Sequence, residues 1–253
     1  MAHISTRKFI KWGDNPAGEN TDTLVLTTAG KHFVDIRIYL PTSPSEPSLP
    51  SLAPLPLSRL EWGFAGTASP TPATYSSVPG HEKEIVKPAH TVWTHWVDNK
   101  TTEEVRDEGD MVPSGSGDGG EVSREVMEYG RMENPATGKV EAYEECWVDL
   151  EIGKVDGEEE FRSWVLRAED EEGGVRGVIA RVGVYIQGVL RRGEEFSVGR
   201  WMWDSERGWQ PVVEAGRALV PRGMFSQEEF VLGQKLVGGD GVEWACVESF
   251  SWK

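Results

Sequence analysis

Apolar and polar residues alternate with a period of two through most of this chain, which predicts strands rather than helices. His32, Val34, Ile36, Ile38 and Leu40 fall on one strand face, with Asp35 and Arg37 on the other. Phe161–Ala168 alternates less cleanly between charged flanks. Arg176–Arg192 is the clearest case. Val178, Ala180, Val182, Val184, Ile186 and Leu190 form a wholly apolar face, opposite Ile179, Arg181, Tyr185, Gln187 and Val189. Gly183 interrupts the second face and predicts a bulge or bend. Trp201 and Trp203 alternate with Met202, and Ser205–Gly208 predicts a hairpin turn into Trp209–Glu214. No segment holds a helical period over a useful length; Glu121–Met132 comes nearest.

Two tracts break the alternation. Residues 41–58 contain six prolines, which forbids a central strand or helix there. Residues 113–121 form a Gly/Ser-rich, linker-like tract near the midpoint, and Trp-Val-Asp occurs on either side of it, at 96–98 and 147–149. Many short strands with turn signals predict an all-β protein of two consecutive antiparallel barrels. The expected organisation is an N-terminal barrel over 1–112, a linker over 113–121 and a C-terminal barrel over 122–253.

Composition adds aromatic surface. Eleven of the 253 residues are tryptophan. Indole offers a rigid apolar face and one N–H donor, which suits a cavity for a flat greasy molecule and an over-built core equally well. The formal net charge of −16 comes from residues 101–172, where 23 acidic residues face 7 basic ones. Phosphate backbones and anionic lipid would be repelled there, so neither nucleic acid nor a membrane surface is an expected partner. Cys146 and Cys246 are the only cysteines and read as structural thiols. The first twelve residues lack the apolar run of a signal peptide, and Val182–Leu190 is too short to span a bilayer as a helix. An intracellular, cytoplasmic protein is the expectation.

Candidate chemistry is sparse. Residues 115–120 fit GxGxxG literally, but no strand precedes the motif and no helix follows it, so a plain loop is expected. The five histidines show no pairing that would place two imidazoles on one metal. Neither cysteine sits in a nucleophile signature and no Gly-x-Ser-x-Gly elbow occurs. No metal or other cofactor is expected. Acidic pairs such as Glu144/Glu145 read as solvated faces. What remains is aromatic surface interleaved with hydrogen-bonding groups. Arg181, Tyr185 and Gln187 share a face opposite an apolar one, either lining a ligand cavity or facing solvent beside a solid core.

Further along, short motifs recur in a recognisable order: Leu60-Glu61-Trp62-Gly63-Phe64-Ala65-Gly66, Trp93-Thr94-His95-Trp96-Val97-Asp98, Gly130–Gly138, and Gly177-Val178-Ile179 through Ile186-Gln187-Gly188. In these the chain resembles the fungal HRI-one protein family, a lipocalin-like family of two consecutive β-barrels, over nearly its whole length. The resemblance implies the fold. By analogy with other fungal lipocalin-like barrels it also points to a hydrophobic ligand in a barrel lumen, and to cofactor-independent, Diels–Alder-type cyclisation in secondary metabolism. Trp62, Phe64, Trp93, Trp96, Trp201 and Trp203 are the expected ligand-binding residues. His95, Arg181, Tyr185 and Gln187 are the expected catalytic or orienting ones. The competing expectation is a non-catalytic protein whose acidic 101–172 segment docks a basic protein partner.

Overall fold

β-Branched and aromatic residues in alternation, punctuated by glycine and proline, make the chain almost entirely strand. The computed structural model describes residues 1–51, 53–114, 124–216, 225, 230–238 and 240–253. Its first half runs β1 (His3–Trp12), β2 (Thr21–Thr27), β3 (His32–Tyr39), β4 (Leu60–Thr71), a small hairpin of β5 (Thr74–Tyr75) and β6 (Ile85–Lys87), then β7 (Ala89–Asp98), β8 (Val105–Pro113), β9 (Glu125–Asn134) and β10 (Lys139–Leu150). Eight of these close an antiparallel barrel in the order β1-β10-β9-β8-β7-β4-β3-β2. Closure depends on β1, which pairs with β2 on one side and β10 on the other.

The second half runs β11 (Phe161–Asp170), β12 (Val175–Val182), β13 (Tyr185–Arg192), β14 (Glu195–Asp204), β15 (Gly208–Gly216), β16 (Lys235–Val237) and β17 (Glu243–Trp252). These form a seven-stranded antiparallel sheet, ordered β15-β14-β13-β12-β11-β17-β16. Its end strands β15 and β16 do not pair with each other among the described residues. The all-β expectation holds. The only helical turn among the described residues is a 3-10 turn at Leu57–Arg59. The weak helical period near residue 125 is overridden by strand pairing, because β9 lies between β8 and β10.

The expected organisation changes in one respect. The first barrel does not end at residue 112, because β9 and β10 belong to it and β10 is the strand that β1 needs for closure. The Gly/Ser-rich tract connects β8 to β9, whose ladder reaches Pro113↔Val126. The two strands that flank it are therefore paired neighbours within one barrel. Residues 115–123, including the GxGxxG match, lie outside the described residues.

The hairpin β12–β13 also differs from the expectation. Arg176–Arg192 is not one strand with a bulge. Gly183 adopts φ +56° and, with Val184, reverses the chain, so Val182 pairs with Tyr185 and Ala180 with Gln187. The reversal swaps faces. Val178, Ala180 and Val182 share a face with Tyr185, Gln187 and Val189, while Ile179 and Arg181 share the other with Ile186 and Leu190. The predicted Ser205–Gly208 turn is present: Asp204 pairs with Gly208, and its carboxylate accepts the backbone N–H of Glu206 and Arg207.

Where it meets the second sheet the first barrel is apolar outside, and its lumen mixes aromatic with charged side chains. Val34, Ile36 and Ile38 of β3, with Leu60, Ala65 and Val97, leave the lumen and pack against Val165, Val178, Ala180, Val189 and Val198 of the second sheet. The alternate residues Phe33, Asp35 and Arg37 point into the lumen. The other face of the second sheet buries its own core of Trp164, Leu166, Ile179, Ile186, Trp201, Phe225, Phe230 and Trp244. The proline-rich loop ties the layers: Ser51 and Leu55 donate backbone N–H groups to Val212 and Glu214 carbonyls along the edge strand β15. That contact covers part of an otherwise open sheet edge.

Candidate functional site

Glycine and alternation together hollow out the first barrel. Its lumen holds a cavity of about 470 Å³. The strand registers place Ala2, His3, Thr27 and Lys31 at one end, where β1 and β2 begin their ladder and β2 turns into β3. The walls carry Phe33, Phe64, Trp93 and Trp147, and the floor carries Asp35, Arg37, His95, Asp107, Glu128 and Glu145. A Cβ on Gly130 would stand 2.3 Å from the Tyr143 hydroxyl, so glycine there makes room for the buried Tyr143 ring.

The floor is a connected polar network. Arg37 donates from Nε and Nη2 to Asp35 Oδ2 at 3.0 and 2.8 Å. Its guanidinium lies 5.2 to 5.9 Å from the ring centres of Trp62, Phe64 and Trp147. Arg7 donates to Glu145 at 2.6 Å and to Glu19 at 2.7 Å. Burial works against the charge of Arg37, but Asp35 and Glu145 outweigh it and hold the guanidinium protonated. Burial pushes the Asp35 carboxyl above its usual range despite Arg37. Burial, then Glu145, likewise pushes up Asp107.

Glu128 is the most perturbed acid. Its two oxygens accept hydrogen bonds from the Tyr143 hydroxyl at 2.7 Å and the Trp147 indole at 2.9 Å. Burial, reinforced by the Glu145 charge, raises its pKa to about 8. Near neutral pH it is mostly a carboxylic acid. Burial and the neighbouring Glu128 drive the Tyr143 hydroxyl far above the ordinary phenol range.

His95 is held from the opposite wall. Its ring stacks on Phe64 at 4.2 Å, and its Nδ1 lies 2.9 Å from Asp98 Oδ2. Asp98 also accepts the Trp62 indole N–H at 2.9 Å and the Lys100 backbone N–H at 2.7 Å. Burial opposes its charge, but these hydrogen bonds hold its carboxyl below the usual range. Two polar atoms of this lining have no protein partner: His95 Nε2 and Asp35 Oδ1. Both side chains are at least 97% buried. A buried polar atom without a partner is costly, and these two belong to side chains that line one cavity.

The structure divides the residues expected from sequence. Phe64, Trp93 and His95 line the cavity, and Trp62 backs them through its contacts with Phe64 and Asp98. Trp96 faces outward against the sheet, 3.7 Å from the Arg167 guanidinium. Trp201 is wholly buried in the second core. Trp203 packs on Trp209 and donates its indole N–H to Asp156.

The Arg181/Tyr185/Gln187 face does not exist as a unit, because the turn at Gly183 puts Arg181 on the opposite side. Arg181 pairs with Glu158 at 2.6 Å. Gln187 is fully buried between the layers, donating to the Leu24 and Val34 carbonyls and accepting from Arg200. Tyr185 packs beside Ile4, Leu24 and Leu26, on a separate groove between barrel and sheet. None of these three reaches the lumen.

A model of the family described as Protein HRI1 matches residues 3–248. The chain belongs to that family. Its fold is similar to that of an uncharacterized Saccharomyces cerevisiae protein, YLR301w, known from a crystal structure. The TM-score is 0.69 at 20% identity, covering 99% of each chain, and this likeness concerns the fold alone. No curated protein matches the chain. Among the described residues of this HRI1-family chain, no helix is long and apolar enough to cross a membrane. Nor do three His, Cys, Asp or Glu side chains converge as metal ligands would. Cys146 and Cys246 are free and buried.

Sequence reasoning missed Glu128, Glu145, Asp35 and Arg37. Glu145 is only 1% exposed, so it is no solvated charge. The signal was its spacing: Tyr143, Glu145 and Trp147 alternate along β10, which puts the carboxylate between two lumen aromatics.

Proposed function

We propose that the first barrel binds a hydrophobic small molecule whose body lies against Phe33, Phe64, Trp93 and Trp147 and whose polar end meets the floor. The observation that carries this reading is the pair of unpartnered buried atoms, His95 Nε2 and Asp35 Oδ1, beside an aromatic-walled cavity of about 470 Å³. That volume lies within the range of small-molecule sites, which combine apolar walls with a few placed polar groups. The acidic-segment docking reading is weakened, because Asp107, Glu128, Glu145 and Asp149 of that segment turn into the lumen.

A cofactor-independent cyclase is the second reading, and Glu128 favours it. A neutral carboxylic acid at the floor of an aromatic-walled cavity can donate a hydrogen bond to a carbonyl and polarise it for cyclisation. Glu128 and His95 then take the role expected of Tyr185, Gln187 and Arg181. The test of binding is a titration with flat hydrophobic ligands, followed by tryptophan fluorescence. Quenching that saturates is expected, with affinity falling about tenfold in Trp93→Ala, as befits loss of an aromatic wall. No response from a broad panel would defeat the reading.

A further inference from the structure

The floor of the lumen carries more acid than base. Asp35, Asp107, Glu128 and Glu145 line it beside a single guanidinium, that of Arg37. Arg7 lies beneath, between Glu145 and Glu19. Five carboxyl groups therefore share two guanidinium groups at a largely buried site. The groups facing Glu128 are Tyr143, Glu145 and Trp147 from β10, Asp107 from β8 and Arg37 from β3. The excess is tolerated in part because Glu128, pushed up to about 8 by burial and Glu145, keeps its proton. A cationic guest would replace such a proton.

Both unpartnered atoms at the floor accept hydrogen bonds. Asp35 uses Oδ2 for Arg37 and leaves Oδ1 free. With the Nδ1 proton of His95 directed at Asp98, its free Nε2 is an acceptor in the neutral ring. A carboxylate or phosphate guest would find like charge and no donor at these two points. The aromatic walls favour a cation by the negative faces of their rings. The positive lining group Lys31 sits at the far, open end, beside His3, whose imidazole burial holds below its usual range despite Asp149.

We propose that the guest is a cationic amphiphile: a flat or elongated apolar body ending in an ammonium group whose N–H donors reach Asp35 Oδ1 and His95 Nε2. This rests on the binding reading above and specifies its ligand class.

Three probes with one flat body and different heads test it: 1-pyrenemethylamine, 1-pyrenemethanol and 1-pyrenecarboxylate, each titrated into the full chain at pH 7. The amine should bind at least about tenfold more tightly than either other probe, the difference expected of one charge-assisted hydrogen bond inside a protein. Asp35→Asn should remove most of that preference while leaving the alcohol's affinity within about twofold. Calorimetry in buffers of different ionisation enthalpy should show proton release on amine binding, reduced in Glu128→Gln. Head-group ranking and proton release are both read on the unmodified chain, so they stand even where Asp35→Asn does not fold. A carboxylate that binds as well as the amine, an alcohol that matches it, or amine binding without proton release would overturn the inference and leave the cavity reading intact. Failure of all three probes would overturn both.

Discussion

Glu128 shows how much of this site is decided by single side chains. Its folded pKa, about 8, lies above the ordinary 4.5. The folded chain therefore holds the proton more tightly than the unfolded one, and this contribution to stability is complete below about pH 4.5. It is lost progressively between about pH 4.5 and 8, at about 1.4 kcal/mol per pH unit, and is gone above the folded pKa. Glu128→Gln retains an acceptor for Tyr143 or Trp147 and removes the titration. Thermal melts between pH 5 and pH 9 should show the unmodified chain losing stability relative to Glu128→Gln as pH rises. Parallel curves would show that Glu128 is not the buried acid described. The same residue marks a limit of sequence reading. It stands in a segment with 23 acidic residues, where charge looks like solvated surface. Only strand pairing shows that it shares the lumen with Tyr143 and Trp147.

Among the elements, β3 was legible in everything except its direction. Alternation separates Val34, Ile36 and Ile38 from Asp35 and Arg37, but alternation has no sign, and the apolar set faces the second sheet rather than the lumen. Phe64, Trp93 and His95 fall on the lumen side of β4 and β7, with Trp62 behind them. The shared face expected of Arg181, Tyr185 and Gln187 is absent, because one turn reverses the face count. Gly183 holds φ +56°, and a Cβ there would come within 2.3 Å of the Gly153 carbonyl oxygen. Gly183→Ala should cost about 1–3 kcal/mol, from backbone strain and the clash together. Denaturant unfolding measures it; an unchanged midpoint would mean that the β12–β13 turn tolerates a side chain.

For the whole molecule, the two layers share one core, and Gln187 stitches it. Its amide donates to the Leu24 and Val34 carbonyls at 3.0 and 2.9 Å, and Arg200 bridges it to the Ile36 carbonyl. Gln187→Ala should destabilise by about 2–4 kcal/mol, since buried carbonyls and a guanidinium lose partners. Because the layers are joined, the loss should lower a single calorimetric transition rather than split it. Two separated transitions, one per sheet, would contradict the shared core. Far closer to the chain ends, Glu248 of β17 accepts from Thr28, the Gly30 backbone N–H and His32, which clasps the last strand to the β2–β3 turn.

The outward-facing apolar stripe of β3 also sets a timetable. Val34, Ile36 and Ile38 are made early, yet the residues that cover them, Val178, Ala180 and Val189, follow roughly 140 positions later. At the usual pace of synthesis, about 5–20 residues per second, that stripe waits on the order of ten seconds for its cover. The strand that closes the barrel, β10, is finished before the covering strands are made. For that interval the nascent chain presents a β-branched surface that other chains can seize, so its yield in a cell will depend on who holds it meanwhile as much as on how stable it becomes.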